Sequence, residues 1–296
     1  MANTPIKLND GNVIPWLGFG TGTALYGKDA SDTVVNAISA GFTHLDGAQL
    51  YLNEESLGAG IVASGKPRSE LFVTTKLGTV ESGQSVRETL VESLRKLKLN
   101  YVNLFLIHSP TLYPKDKLKG IWKELEGLKN EGLAKSIGVS NFRIKELEVI
   151  LEDATIVPAV NQIEIHPHLL AETQPLLDFH AKHNIVTESY GGLSPLFRSE
   201  DSELAALAKS IAKRLAATAS VSVTEGHVLS LWLKQKGIVA VTTTTKKERL
   251  TEYINIANVP ELSVDDIAAI DTAGSKETHR HFVSLFRLLC VCYIYS

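Results

Sequence analysis

This 296-residue chain has few of the features that mark an unusual class of protein. It contains 2 cysteines, 1 methionine and 10 prolines, and its 30 lysine and arginine residues are balanced by 33 acidic residues, for a formal net charge of −3. Because there is no basic excess, the composition argues against a general nucleic-acid or anionic-membrane binder. With 44% hydrophobic and 21% charged residues, it is typical of a globular chain with a sizeable core.

The chain also lacks the apolar segments that direct a protein to a membrane or out of the cell. Its first eleven residues contain no apolar run of the kind found in a signal peptide. No stretch reaches the ~18 uninterrupted apolar residues of a membrane helix. We therefore expect a soluble, cytoplasmic protein that does not associate with membranes, and we expect Cys290 and Cys292 to be reduced thiols.

Several motif-like segments lack the residues that would complete them. Gly60–Lys66 resembles a phosphate-binding loop, but Pro67 stands where Ser or Thr would bind Mg²⁺. The histidine pairs at 166/168 and 180/183 come without carboxylate or thiolate ligands, so we expect no metal site. The serines in segments 138–142 and 192–195 are not followed two residues later by glycine, which argues against a nucleophile elbow.

Two hydrophobic periods alternate along most of the chain. Short apolar or β-branched runs predict strands at the glycine-rich run Trp16–Gly22 and at Phe42–Asp46, Leu71–Lys76, Tyr101–His108, Ala134–Val139, Pro158–Glu164, Ile185–Ser189 and Gly237–Thr242. Helical patterns between them predict helices at Ser31–Ala40, Asn53–Ser64, Ser85–Leu99, Leu118–Glu131, Ile144–Leu151, Thr173–Lys182 and Val221–Lys236.

Eight strand–helix units in ~240 residues predict a (β/α)8 TIM barrel with parallel strands. The pattern adds an N-terminal β-hairpin around Asp10 and Gly11 and an extra helix at Ser202–Ala217, so the α/β fold is expected to form a single domain over residues 1–296. An open doubly wound sheet is the competing architecture. It is disfavoured because Thr23 stands where the third glycine of a dinucleotide-binding motif should fall.

Polar residues close several of the predicted strands, and in a barrel the catalytic groups lie at these carboxyl ends. A buried lysine at Lys76 would be costly unless a carboxylate paired with it, and Asp46 is a candidate partner. Tyr51 would lie beside that pair, where an ammonium group is expected to lower its pKa from ~10 towards that of an acid catalyst. His108 would then orient a substrate oxygen.

Five segments carry a family resemblance: Gly41–Glu54, Thr74–Leu77, Leu106–Pro110, Ile137–Phe142 and Asn161–Pro167. Together they resemble the aldo-keto reductase superfamily, in the order that the family has them, over about residues 5–275. The resemblance is closest to the fungal NADPH-dependent branch with conjugated polyketone and ketopantoyl-lactone reductases.

The resemblance implies an NADPH-dependent enzyme that reduces a ketone, dicarbonyl or aldehyde to an alcohol. Tyr51 would protonate the carbonyl oxygen, Lys76 and Asp46 would lower its pKa, and His108 would orient the carbonyl. The residues implied to bind the cofactor are Gly20, Thr21, Ser140, Asn141, Gln162, Tyr190, Thr244, Thr245, Lys246, Arg249 and Glu252.

Among these, Ser140, Asn141 and Gln162 would hold the nicotinamide carboxamide, and Tyr190 would stack on its ring. Arg249 matches the arginine that selects NADPH, and Glu252 matches a residue that contacts adenine. The hydroxyl and cationic groups of segment 242–252 also suit a 2′-phosphate on their own chemistry.

Three departures from the family pattern qualify this reading. Thr242–Thr244 replaces the usual Pro-Lys-Ser, so Lys246 or Lys247 would have to supply the missing cation. Glycine or serine stands at positions 22, 78 and 109, where related aldose reductases often have tryptophan, which predicts a wider pocket suited to bulky or cyclic ketones. The tail 277–296 is atypical, since Phe282–Ser296 is apolar at 12 of 15 positions; it could cover the barrel mouth, form an interface or be an artefact of gene prediction.

Two other functions remain open at this level. The first is a nucleotide-binding regulatory module of the same fold with little turnover. The second is a barrel hydrolase with Glu164 and Glu188 as its acid/base pair. The reductase reading expects a small carbonyl substrate as the partner, and a monomer or weak dimer.

Overall fold

The chain forms ten strands and eleven α-helices in the computed structural model, which describes residues 5–282. The strands are β1 (Pro5–Lys7), β2 (Val13–Pro15), β3 (Leu17–Gly20), β4 (His44–Asp46), β5 (Phe72–Leu77), β6 (Val102–Ile107), β7 (Ala134–Ser140), β8 (Val160–Glu164), β9 (Val186–Tyr190) and β10 (Val239–Thr242). The helices are α1 (Ser31–Ala40), α2 (Glu54–Ala63), α3 (Val86–Leu97), α4 (Leu118–Asn130), α5 (Ile144–Leu151), α6 (Leu170–His183), α7 (Pro195–Arg198), α8 (Glu203–Ala216), α9 (Glu225–Gln235), α10 (Lys247–Ile254) and α11 (Val264–Gly274).

Strands β3 to β10 close into one parallel barrel in the order β10-β3-β4-β5-β6-β7-β8-β9. Every neighbouring pair is parallel, including the closing pair β10 and β3, in which Ala240 lies opposite Leu17. The predicted (β/α)8 TIM barrel is therefore confirmed, and so is the N-terminal hairpin, in which β1 and β2 pair antiparallel. The carboxyl ends of all eight strands consequently meet at one rim.

The N-terminal hairpin closes the opposite end of the barrel. Leu8 and Ile14 pack in one apolar cluster with side chains of the barrel interior, among them Leu104 and Val160. The side-chain amide of Asn9 donates a hydrogen bond to the carbonyl of Pro158, just before β8 begins. The hairpin thus covers the amino ends of the strands.

Sequence patterns located most elements to within a few residues but missed three helices. Helix α6 begins at Leu170, before the predicted Thr173, because the 3₁₀ turn that precedes it runs directly into it. Helix α9 begins at Glu225, after the predicted Val221, with Thr224 as its side-chain cap. Helices α7, α10 and α11 were not predicted. Helix α7 has only four residues, and α10 has only two buried residues and a charged sequence that resembles a loop.

A larger apolar layer lies between the barrel and the surrounding helices and contains the three tryptophans, Trp16, Trp122 and Trp232. The Trp16 indole donates a 2.7 Å hydrogen bond to the carbonyl of Ile238, which satisfies its one polar atom within the core. None of the helices within residues 5–282 is both long and apolar enough to cross a membrane.

Helices α2 and α3 approach closely because glycine stands at their crossing point. A Cβ atom at Gly58 would lie 2.6 Å from the carbonyl oxygen of Lys96 and the carbonyl carbon of Leu97. Backbone atoms cannot move aside as a flexible side chain can, so a methyl group there would force the helices apart.

We expect Gly58→Ala to lower the free energy of unfolding by about 1–3 kcal/mol, because overpacking outweighs the better helix propensity of alanine. The matched control is Gly120→Ala in α4, where a Cβ atom would meet nothing within 4 Å. That change should raise the free energy of unfolding by about 0.5–1 kcal/mol. Urea unfolding of both variants measures the difference, and equal effects would contradict the close crossing of α2 and α3.

Candidate active site

A buried ion pair lies at the carboxyl rim of the barrel. The Lys76 ammonium group, on β5, is fully buried and lies 2.5 Å from Oδ1 of Asp46 on β4. It also donates hydrogen bonds to the Gly47 carbonyl at 3.0 Å and to the Tyr51 hydroxyl at 3.2 Å. The three side chains that were expected to converge are thus in direct contact.

Strand register and the following loop bring these groups together. Strands β4 and β5 are neighbours with Asp46 opposite Thr74, so the next inward-facing residue on β5, Lys76, reaches the same point. The loop that carries Tyr51 is held by Asn53, whose side-chain amide donates to the carbonyls of Thr21 and Leu25, both at 2.8 Å. The loop is therefore fixed by hydrogen bonds to the segment that follows β3.

The Tyr51 ring packs directly against Gly22, where a residue with a side chain would be too close to it. A Cβ atom there would lie 3.0 Å from the Tyr51 ring, which is closer than side chains normally pack. Glycine or serine at positions 22, 78 and 109 was expected to widen the pocket. Of these three residues, only Gly22 lines it. Gly78 instead donates its N–H to Gln49, and the Ser109 hydroxyl caps the following 3₁₀ turn.

The protonation states in this cluster differ in one respect from expectation. Burial alone would lower the pKa of Lys76, but the Asp46 carboxylate and Tyr51 hold it above its ordinary value. Burial raises the pKa of Tyr51 and outweighs the opposite effect of the nearby ammonium. The expected net lowering of the Tyr51 pKa is therefore wrong in this structure, and Tyr51 keeps its proton at neutral pH.

His108 follows β6 and lies beside Tyr51, with the two ring centroids 5.4 Å apart in an edge-to-face arrangement. Burial, and then the charge on Lys76, lower the pKa of His108 well below its usual value. The imidazole is therefore neutral and faces the pocket beside the Tyr51 hydroxyl. A neutral ring can donate a hydrogen bond without adding a positive charge to the site.

Above the ion pair the barrel opens into a pocket of about 680 Å³. Asp46, Tyr51 and His108 line it, while Lys76 lies beneath. Six of the residues that were expected to bind the cofactor also line it: Gly20, Ser140, Asn141, Gln162, Tyr190 and Arg249. Thr21, Thr244, Thr245, Lys246 and Glu252 lie outside this lining, and Thr21 instead bonds to the backbone carbonyl of Asp46.

One side of the pocket is a polar wall of hydrogen-bonded side chains. The Tyr190 hydroxyl donates to Oδ1 of Asn141 at 2.7 Å, and the Asn141 amide donates to the carbonyl of His108 at 2.9 Å. Asn141 has a left-handed backbone conformation, with φ of 63°, which asparagine tolerates better than most residues. The Ser140 hydroxyl is bound to the Gln162 carbonyl.

The other end of the pocket is formed by residues that the sequence reasoning largely missed. The Arg249 guanidinium lies 5.2 Å from the ring of Phe197, on helix α7. His227 and Ser230 of helix α9 line the same region. Glu252 does not face the pocket but accepts a 2.7 Å hydrogen bond from Thr224.

Phe282, the first residue of the apolar tail segment, also lines the pocket. Its ring lies 5.4 Å from that of Tyr190. The backbone amides of His281 and Phe282 donate to the Glu164 carboxylate at 2.6 Å and 3.3 Å, which fixes this part of the chain over the mouth. The rest of the tail, 283–296, lies outside the described residues.

The two carboxylates of the hydrolase alternative do not form a site. The Glu164 carboxylate accepts hydrogen bonds from the backbone amides of His281 and Phe282. Glu188 is completely buried inside the barrel. Neither of them lines the pocket. The geometry therefore argues against an acid/base pair that flanks a sugar bond. Among residues 5–282, no group of three or more His, Cys, Asp or Glu side chains is arranged to hold a metal ion.

Two known reductases are similar to this chain over most of their length. The chain is 38% identical over 283 residues to the NAD/NADP-dependent indole-3-acetaldehyde reductase of Schizosaccharomyces pombe, covering 92% of this chain and 96% of the relative. It is 36% identical over 273 residues to the glyoxal reductase of Bacillus subtilis, covering 92% and 93%.

Solved structures of similar sequence have the same fold as this chain. An aldo/keto reductase from Brucella melitensis superposes with a TM-score of 0.80 at 35% identity, covering 91% of this chain and 99% of that one. A variant of Gox0644 in complex with NADPH superposes with a TM-score of 0.80 at 33% identity, covering 92% and 94%. Residues 16–275 match the Aldo/keto reductase family as a whole, and the chain is a member of that family.

Proposed function

We propose that this protein reduces a small ketone, dicarbonyl or aldehyde to an alcohol with NADPH, and that Tyr51 is the proton donor. The observation that carries the proposal is the contact of the Tyr51 hydroxyl with a fully buried ammonium group, at 3.2 Å, on the floor of a pocket. A phenol in this place can give up its proton, because the phenolate that remains lies against a positive charge.

The pocket suits a dinucleotide in its shape and in its donor set. It runs from Tyr51 to Arg249, and amide, hydroxyl and aromatic side chains line it in between. Asn141 and Gln162, with the Ser140 hydroxyl, would hold the carboxamide of the nicotinamide ring, and Tyr190 would stack on it. When bound, NADPH supplies the hydride that reduces the carbonyl carbon.

The adenosine end would be held by residues around the start of helix α10. Arg249, Lys246 and the hydroxyl groups of Thr244 and Thr245 would bind the 2′-phosphate. The amino end of α10, which begins at Lys247, adds the favourable end of a helix dipole for an anion. Gly20 would form the wall beside the nicotinamide half, whereas Glu252 and Thr21 lie outside the lining and are hydrogen-bonded to Thr224 and to the Asp46 carbonyl.

Each catalytic side chain has one task in this proposal. His108, kept neutral, donates a hydrogen bond to the carbonyl oxygen and orients it beside Tyr51. Tyr51 transfers its proton to that oxygen. Lys76 stays charged because it is paired with Asp46, and it stabilises the phenolate left on Tyr51. The site thereby supplies orientation and electrostatic stabilisation and needs no nucleophile from the chain.

The apolar part of the lining bears on the substrate. Leu50, Leu193 and Phe282 are apolar side chains of the pocket lining. The pocket of about 680 Å³ leaves room for a bulky or cyclic ketone next to Tyr51. Two relatives are named as reductases of indole-3-acetaldehyde and of glyoxal, which are aldehydes. A substrate panel should therefore contain simple aldehydes as well as cyclic diketones and α-keto lactones.

Replacing Tyr51 by phenylalanine removes the proton donor and keeps the ring. We expect kcat for NADPH-dependent reduction to fall by about 10²–10⁴-fold, while the Kd for NADPH stays nearly the same. The assay follows NADPH oxidation by absorbance and NADPH binding by fluorescence. Tyr101→Phe is the matched control, because that ring is packed between Arg68 and Lys135 outside the pocket.

Retention of kcat within about tenfold in Tyr51→Phe would remove the proton-donor assignment. Tight NADPH binding by the wild type without turnover of any substrate in the panel would instead favour a nucleotide-binding regulatory module.

Replacing Arg249 by alanine tests which coenzyme the site selects. We expect the Kd for NADPH to rise about 10- to 100-fold, because hydrogen bonds to a charged phosphate are worth about 1.5–3 kcal/mol. The Kd for NADH should change little, since NADH has no 2′-phosphate. Arg87→Ala is the control, because this arginine pairs with Glu131 on the surface. Equal weakening of NADPH and NADH binding would contradict the role of Arg249.

A further inference from the structure

A second carboxyl group lies behind the Asp46–Lys76 pair, inside the barrel. Glu188 on β9 is completely buried. The side-chain amide of Gln162 joins the two carboxyl groups, because its Nε2 donates to Oδ2 of Asp46 at 2.8 Å and to Oε2 of Glu188 at 2.9 Å. The position of the Asp46 carboxylate therefore depends on an amide that Glu188 also holds.

The other groups that face Glu188 leave it without a direct cationic partner. Nε2 of His44, on β4, lies 3.6 Å from Oε1 of Glu188 and 3.1 Å from the Thr74 hydroxyl. Burial lowers the pKa of His44 to about 4, so that this ring is neutral above pH 5. Lys76, the cation in this part of the barrel, is bonded to Asp46, and on β10 Glu188 lies opposite apolar Val239.

These surroundings make an ionised Glu188 unfavourable in the folded protein. Burial, and then the charge on Asp46, raise the pKa of Glu188 to about 8. A carboxyl whose pKa is raised on folding takes up a proton, so its contribution to stability is complete below pH 4.5 and is lost as the pH rises through about 8. A glutamine of nearly the same shape would bind Gln162 without this loss.

A carboxyl that lowers stability at neutral and alkaline pH, next to catalytic groups, is typical of a residue that serves the chemistry of a site. The charge of Glu188 acts on Tyr51, because its ionised form raises the pKa of Tyr51 in opposition to Lys76. As Glu188 ionises, Tyr51 therefore holds its proton more tightly.

We propose that Glu188 is a positioning residue of the reductase site, which fixes Asp46 through Gln162 and, when ionised, extends the proton-donating form of Tyr51 to higher pH. The proposal rests on the function proposed above. No further reactant is required, since the proton still passes from the Tyr51 hydroxyl to the carbonyl oxygen. Glu188 changes only the pH at which Tyr51 loses that proton.

The test compares the wild type with Glu188→Gln in the pH dependence of kcat, with NADPH and carbonyl substrate saturating. Activity should fall on the alkaline side as Tyr51 loses its proton. In Glu188→Gln the apparent pKa of this decline should move lower by about one unit, because the second negative charge is gone. Glu126→Gln is the control: this buried carboxylate on α4 accepts from the amides of Thr155 and Ile156, far from the pocket, and its variant should keep the wild-type profile.

A second readout needs no turnover and therefore separates this inference from the proposed function. The free energy of unfolding of Glu188→Gln, relative to the wild type, should increase between pH 5 and pH 9. Glu188→Asp keeps a buried carboxyl, so its alkaline decline should lie nearer to that of the wild type, and it carries the kinetic test if Glu188→Gln yields no folded protein.

An alkaline decline that is the same in Glu188→Gln as in the wild type would overturn the proposal, and so would a Glu188→Gln variant that is less stable than the wild type at pH 9. If the wild type itself reduces no carbonyl compound, the proposed function fails, while a pH-dependent stability gain in Glu188→Gln still demonstrates the buried titrating carboxyl.

Discussion

The buried ion pair between Lys76 and Asp46 is the constraint on which the rest of the site depends. An unpaired ammonium group at full burial would lose its proton or unfold its surroundings, so the carboxylate on the neighbouring strand is required. The pairing holds the Lys76 ammonium group within hydrogen-bond distance of the Tyr51 hydroxyl. Strand order supplies this arrangement, because β4 and β5 are adjacent in the closed barrel.

The two ends of the barrel differ in the kind of residue that they contain. Apolar residues of the hairpin and of the lower interior pack together at the amino end, which gives stability. Polar residues at the carboxyl ends of the strands face the pocket instead. Between the two lies a polar layer in which His44, Gln162 and Glu188 are buried. A buried polar layer next to a site is costly for stability, and it acts on the charges of the groups above it.

Much of the architecture could be predicted from the sequence because strand and helix periods are local properties. The eight barrel strands and helices such as α1 and α5 follow directly from their apolar patterns. Asp46, Tyr51, Lys76 and His108 could be placed together because each follows or closes a strand, and such ends meet at one rim of a barrel.

The features that could not be predicted from the sequence depend on contacts between distant segments. The amphipathic pattern of α10 is short and charged, so that its sequence resembles a loop. Glu188 could be recognised as a polar residue near a strand end, but its link to Asp46 requires the register of β8 against β9. The net effect on the pKa of Tyr51 could not be predicted, because burial and the Lys76 charge oppose each other and only the packed structure decides which is larger.

A double-mutant cycle of Asp46→Asn and Lys76→Met measures the central claim most directly, with kcat and NADPH affinity determined for the wild type, both single variants and the double variant. If the pair acts as one unit upon Tyr51, each single variant loses nearly as much kcat as the double variant, and NADPH affinity stays close to that of the wild type. Losses that multiply in the double variant, or a Lys76→Met variant with nearly full kcat, would contradict the account.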